Sequence, residues 1–325
     1  MMNDKNKPKL HTVDRLTEEQ IDKEWLKVKQ KITRRRIRII ARYSVLTIAT
    51  VLLLLVSAWG IHCYNEVKKL DAPEYTALTY PQVITVQVDD LAPVVINTGF
   101  QESAYTEQAI DKPHRLLITV PRGKTYFVKL PDGTDVWLNA ESKLKYTIPF
   151  EKNGRRVELE GEAFFKVSKS EEHPFWVYTP YVTTRVMGTE FNVRSYHEDD
   201  VNVTLLEGKV AVSNNKGVVY LLPGQNAFVG QEELTVETVD VKLFTAWMDG
   251  YFYFEEASLA EIMKELGRWY NMNIEFADAE LANYRFKYWA YKQGSFQEAI
   301  DIINKVGKVL VVKKGNTAII EKNRN

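Results

Sequence analysis

Between Tyr43 and Tyr64 the chain reads "YSVLTIATVLLLLVSAWGIHCY", without a single Lys, Arg, Asp or Glu. At helical rise such a run is about 30 Å long, the thickness of a bilayer's hydrocarbon core. A buried globular helix usually keeps a polar face, and this one has only Ser44, Thr47, Thr50 and Ser57 to offer. A cleaved signal peptide has an apolar region of roughly 7 to 15 residues and a small-residue cleavage site. Here the run is longer and ends Ala58-Trp59-Gly60-Ile61-His62-Cys63-Tyr64. The pattern predicts one retained transmembrane helix over 43–64.

Charge sets its direction. Arg34, Arg35, Arg36, Arg38 and Arg42 crowd the near end, whereas Lys68 and Lys69 at the far end are balanced by Glu66, Asp71 and Glu74. Positively charged flanks stay in the cytoplasm, so residues 1–42 are expected to form a cytoplasmic arm, with everything after Asn65 outside. The formal net charge of zero averages these two compartments and says little about partners. The basic cluster abuts the span, where topogenesis and anionic lipid account for it, and no direct nucleic-acid contact is expected. Cys63 is the only cysteine. No intramolecular disulfide can form, so the exterior must fold by its hydrophobic core alone.

Within the arm, Ile21, Trp25, Val28 and Ile32 recur at helical spacing, and Thr17 followed by Gln20 resembles a capping box. One short helix has nothing to bury its stripe against. The stripe must meet a membrane surface or a partner, and Trp25 is the expected anchor because large aromatics carry much of the energy of helix-in-groove binding.

Residues 65–115, interrupted by Pro73, Pro81, Pro93 and Pro113, read as a stalk leading into the first strands, with "QVITVQV" alternating as a strand should. From 116 to 240 the signal is β throughout. Strands flank the turn Pro131-Asp132-Gly133, Leu159-Glu160-Gly161 recurs as Leu206-Glu207-Gly208, and a third glycine turn falls at Pro223-Gly224. Such units indicate a β-sandwich or a β-solenoid-like domain, and the pattern leaves both open. Over 241–325 the period changes: Ser258 caps "LAEIMKELGRWY", Ser295 caps "FQEAIDIINKVG", and a hairpin turns at Gly315-Asn316. This is β-α-β followed by β-α-β-β, a small C-terminal α+β domain. The fold class expected for the chain is therefore mainly β with an α+β part.

Little catalytic chemistry is visible. His11, His62, His114, His173 and His197 lie far apart, none at metal-ligand spacing from another His, Cys or carboxylate, so no metal or cofactor is expected. Gly123-Lys124-Thr125 imitates the end of a phosphate-binding loop, but Ile118 stands where the earlier glycine belongs. Glu198-Asp199-Asp200 reads as a solvated hairpin tip. At Gly188-Thr189 a Thr hydroxyl could attack the preceding carbonyl of a strained peptide, turning the amide into an ester. Alternatively, the glycine answers to a turn or close packing.

The blocks "PRGKTYFVKLPDGTDVWLNAESKLKY", "LEGEAFFKV", "VMGTEFNVRSY", "LLEGKVAV" and "LLPGQNAFV", in that order, resemble those of FecR-type anti-sigma factors, in the layout typical of Bacteroidetes. The C-terminal part is similar to the short N-terminal domain shared by secretins and TonB-dependent receptors. The resemblance implies a single-pass protein of the bacterial inner membrane with its C-terminus in the periplasm. Its arm, through Ile21, Trp25, Val28 and Ile32, would hold an extracytoplasmic-function sigma factor. Its periplasmic end would meet the signalling domain of a TonB-dependent outer-membrane receptor, and regulatory proteases would complete the relay. Some members cleave themselves at a Gly-Thr bond, and Gly188-Thr189 stands at the matching place. The strand "FKYWAY", with Phe286, Tyr288, Trp289 and Tyr291, would suit addition of a partner strand. The rival expectation is an envelope scaffold or export-machine component without transcriptional role. An enzyme acting on cell-wall glycan would need paired carboxylates, and spacing identifies none.

Overall fold

The computed structural model describes residues 54–59, 61, 74–75, 82–96, 112–151, 154–229 and 233–323. The arm residues Ile21, Trp25, Val28 and Ile32 and most of the 43–64 run lie outside them. Residues 54–59 are helical, with Leu54, Leu55, Val56 and Trp59 exposed. Among the described residues, no helix is long and apolar enough to cross a membrane. Lys68–Asn325 forms a compact unit distinct from Met1–Val67. The chain is mainly β with few helices.

Within Lys68–Asn325 the larger part is a fifteen-stranded open sheet folded over on itself. Its organiser is the long strand Arg155–Lys166, whose first half pairs with Ser142–Ile148 and Phe175–Tyr178. The second half pairs with Asp135–Leu138 and Glu190–Ser195. The change of partners falls at Gly161, so this glycine bends one continuous strand instead of turning between two, as its likeness to Gly208 suggested. Residues alternate between faces along each strand. The inward set, including Leu116, Ile118, Leu144, Leu159, Phe165, Phe191 and Val203, meets in one dry core. All pairings here are antiparallel except that of Arg155–Lys166 with Phe175–Tyr178. Thr85–Val88, within the 65–115 segment, is already part of the sheet and sends Val86 and Val88 into the core.

The C-terminal part has its own core. Helices Leu259–Tyr270 and Phe296–Lys305 each pack on two small sheets, one made of Tyr251–Ser258 and Arg285–Tyr291, the other containing Asn273–Phe276, Thr317–Lys322 and Val309–Lys314. Both helices start at the serines named above, Ser258 and Ser295, each in a full capping box with Glu261 and Glu298. Such a box satisfies two helix-end N–H donors, and loss of the cap residue costs about 1 kcal/mol. Glu74–Tyr75 pairs antiparallel with Asn273–Phe276, so the segment that leads out of the 43–64 run closes an edge of the C-terminal domain.

Candidate functional site

Strand alternation places Glu162, Phe164, Asn192, Arg194, Asn202 and Thr204 on the face of the large sheet opposite its core. In an ordinary antiparallel sheet that face meets water. Here Glu162 is 3% exposed and Asn192 and Thr204 are fully buried: Glu162 meets the helix Leu259–Tyr270 through Arg194 and Glu265, Asn192 meets Trp247, and Thr204 bonds Asn226 of the same sheet. The face is polar because its partner is polar. Glu265 and Arg268, three apart on the helix, project into it alongside the apolar stripe of Ile262, Met263 and Leu266.

The result is a buried network of charges across the seam between the two parts. Glu162 accepts from Asn139 Nδ2 at 2.8 Å, Asn192 Nδ2 at 3.0 Å and Arg194 Nη1 at 3.1 Å. Arg194 also donates in a fork to Asp200, at 2.7 and 2.9 Å, and to Glu265 at 2.6 Å. Arg268 donates to Glu265 and, at 3.2 Å, to Glu141. Its guanidinium lies 3.6 Å above the Tyr196 ring, an arrangement worth about 2 kcal/mol when desolvated. Tyr196 in turn donates its hydroxyl to the Ala140 carbonyl at 2.7 Å. Trp247 Nε1 reaches Asn192 Oδ1 at 3.3 Å.

Burial and pairing pull the two central carboxylates apart. Desolvation dominates at Glu162 and raises its pKa despite Arg194. At Glu265 burial opposes ionisation too, but Arg194 and Arg268 together outweigh it and hold the group down at about 2. Arg194 is pinned in its charged form by Asp200, Glu265 and Glu162 against its own desolvation. A proton entering the cluster therefore goes to Glu162. Such a network adds little net stability relative to apolar packing, yet removing one partner is expensive, about 3 to 5 kcal/mol, because a buried charge is left alone. It fixes which surfaces can meet.

Two motifs noted in the sequence acquire different roles. Asp200 is no solvated tip: it holds Arg194. Gly123 sits at the seam, where its N–H donates to the Arg268 carbonyl at 3.1 Å. At φ +74° a Cβ there would come within 2.8 Å of the Trp269 carbonyl oxygen, which is why glycine stands at the position. Gly188 has φ +154°, and a Cβ on it would meet Lys169 Cα at 2.7 Å, so close packing accounts for it. The buried Thr189 hydroxyl donates to the Lys209 carbonyl at 3.1 Å, an acceptor that is not a base. His114 pairs with Asp89 at 2.7 Å on the surface. Among the described residues no group of His, Cys, Asp and Glu could hold a metal ion.

The strand Arg285–Tyr291 alternates strictly. Phe286 and Tyr288, 6% and 2% exposed, are core residues, which corrects the expectation that all four aromatics face a partner; Trp289 and Tyr291, 54% and 56% exposed, face outward. Trp289 stacks on Tyr251 of the neighbouring strand and Tyr291 lies tilted against it, with ring centroids 5.7 and 4.6 Å away. Among the described residues this strand pairs on one side only, with Tyr251–Ser258. Glu162, Arg194, Glu265 and Arg268 were not singled out in the sequence. The available signal was a charged pair at positions 265 and 268 abutting a helix's apolar stripe.

These features define a class: a two-domain, β-rich module whose halves are keyed together by buried charges. Comparison with known proteins specifies it. The family model for FecR protein matches residues 117–211, and that for the FecR C-terminal domain matches 251–320. Two crystal structures of a candidate anti-sigma factor from Parabacteroides distasonis, at 2.50 and 1.65 Å resolution, are each 31% identical. The first aligns with 64% of this chain and 99% of its own at TM-score 0.60, the second with 63% and 98% at 0.59. A search of curated proteins gives no match. The chain belongs to the FecR family of anti-sigma factors, and the family implies a sigma factor as partner.

Proposed function

We propose that the chain is a single-pass regulator of the bacterial inner membrane, with residues 1–42 in the cytoplasm holding an extracytoplasmic-function sigma factor and the body in the periplasm. Its C-terminal domain receives the signalling domain of a TonB-dependent outer-membrane receptor, and the signal passes inward with the help of regulated proteolysis. Three features support this reading: the uncharged 43–64 run with arginines on one side only, the apolar stripe of the arm, and the exposed strand edge with Trp289 and Tyr291. The observation that carries it is the seam. A partner that grips the C-terminal domain also grips the FecR domain, because Arg194 and Arg268 tie the two together. Gly188-Thr189 is proposed to serve as packing in this body.

The test is a pull-down of extracytoplasmic-function sigma factors of the same organism by the arm, residues 1–42. Specific capture is expected, and Trp25→Ala should weaken it at least tenfold, about 1.4 kcal/mol. Capture unaffected by Trp25→Ala removes the anchor assignment, and absence of capture removes the sigma-factor reading.

A further inference from the structure

Beside the charge network the seam holds a half-open cavity of about 330 Å³. One wall is the polar face of the large sheet, and the other is the strand Tyr251–Ser258 with the Trp247 segment. Two buried polar residues lining the cavity have hydrogen-bonding capacity unused by the protein. Asn202 is 7% exposed and its Oδ1 has no donor. Lys292 is 5% exposed, and its Nζ lies 4.8, 5.3 and 5.8 Å from the rings of Trp269, Phe252 and Trp247, without an acceptor among the described residues. Leaving a buried acceptor unmade costs about 1 to 3 kcal/mol, and Asn202 Oδ1 is such a group, while the Lys292 ammonium has aromatic rings as its neighbours.

We infer that the seam cavity is a binding site for a small neutral polyhydroxylated molecule, of the size of a mono- or disaccharide. A hydroxyl group donates and accepts at once, so a ligand bearing several can serve both Asn202 Oδ1 and Lys292 Nζ. Its C–H face suits the aromatic surface supplied by Trp247, Tyr251, Tyr253 and Phe254. Charge selects against the alternatives. Six carboxylates line the cavity against three basic groups, which repels an anion. Of the six, Glu162, Asp200 and Glu265 are engaged by Arg194 and Arg268, Glu255 by Lys287 and Glu261 by Ser258, which leaves a cation little to pair with. Burial pushes the Lys292 ammonium pKa downward, against the pull of Glu265 and Glu162. Cavities of this size at domain boundaries are the usual places for such ligands. Occupancy would bridge the two parts and hold the seam shut, so the site adds a control that does not depend on the receptor.

The test uses the full chain in detergent micelles and follows the intrinsic fluorescence of its tryptophans, two of which, Trp247 and Trp269, flank Lys292. The probes are neutral hexoses, N-acetylhexosamines and their disaccharides, with acetate and tetramethylammonium as charged controls of small size. At least one neutral sugar is expected to bind saturably with a Kd of about 10 mM or tighter. Lys292→Met and Asn202→Leu should each weaken that sugar about tenfold, while each unliganded variant keeps a cooperative melting transition. Should one variant fail to fold, the other still decides. No saturable binding by any sugar of the panel, preference for either ion, or equal binding by both folded variants overturns the assignment.

Discussion

Replacing Arg194 by Met leaves Glu162, Asp200 and Glu265 facing one another across the seam without their shared cation. Glu265 keeps Arg268, and Glu162, whose pKa is already raised, can take a proton. The penalty therefore stays within the range for a broken buried pair, about 3 to 5 kcal/mol. For a body of this size each kcal/mol moves the melting temperature by about 2 to 4 °C, so Arg194→Met should lower it by about 10 °C. The assay is calorimetry of residues 68–325, which form one compact unit. The transition should also split, since each part has a separate core and the variant removes what couples them. A cycle with Glu265→Gln should give a coupling energy above about 1 kcal/mol. A melting temperature unchanged within about 2 °C, with one undivided transition, would refute the claim that the network joins the domains.

The same cluster predicts a pH signature. The Glu265 pKa is depressed from 4.5 to about 2 on folding, so its contribution is fully present above about pH 4.5 and is lost as pH falls toward 2. Glu162 acts with the opposite sign, because its raised pKa favours the folded state once it is protonated, and that contribution fades as pH rises. Glu265→Gln should flatten the acid limb of the stability curve, read by denaturant titration between pH 5 and 2; an unchanged limb contradicts the pairing. Trp289→Ala should shift stability by less than about 0.5 kcal/mol while weakening capture of the receptor's signalling domain, whereas Tyr288→Ala should cost about 3 to 5 kcal/mol. Equal stability losses would contradict their opposite faces. Gly123→Ala, forced against the Trp269 carbonyl at positive φ, should destabilise by about 1 to 3 kcal/mol, and a neutral melt would mean the seam opens there. On a denaturing gel, the purified body and its Thr189→Ala variant should both run as one full-length band; a second band in the parent alone would establish cleavage at Gly188-Thr189.

What the sequence determined by itself was local. Ser258 and Ser295 start helices because a side-chain oxygen within three residues satisfies the first N–H groups. Pro131-Asp132-Gly133 turns because its backbone preferences are intrinsic, with Gly133 at φ +82°. Strand alternation likewise sorted Leu159 from Glu160 and Phe191 from Asn192. Alternation, however, says only that Glu162, Asn192 and Arg194 share a face, not what lies against it. That depended on Glu265, 71 residues beyond Arg194, arriving on a helix whose stripe the C-terminal core orients. A buried charge is stable only where its counter-charge is already held in place, and only the assembled domains can bring such distant groups together.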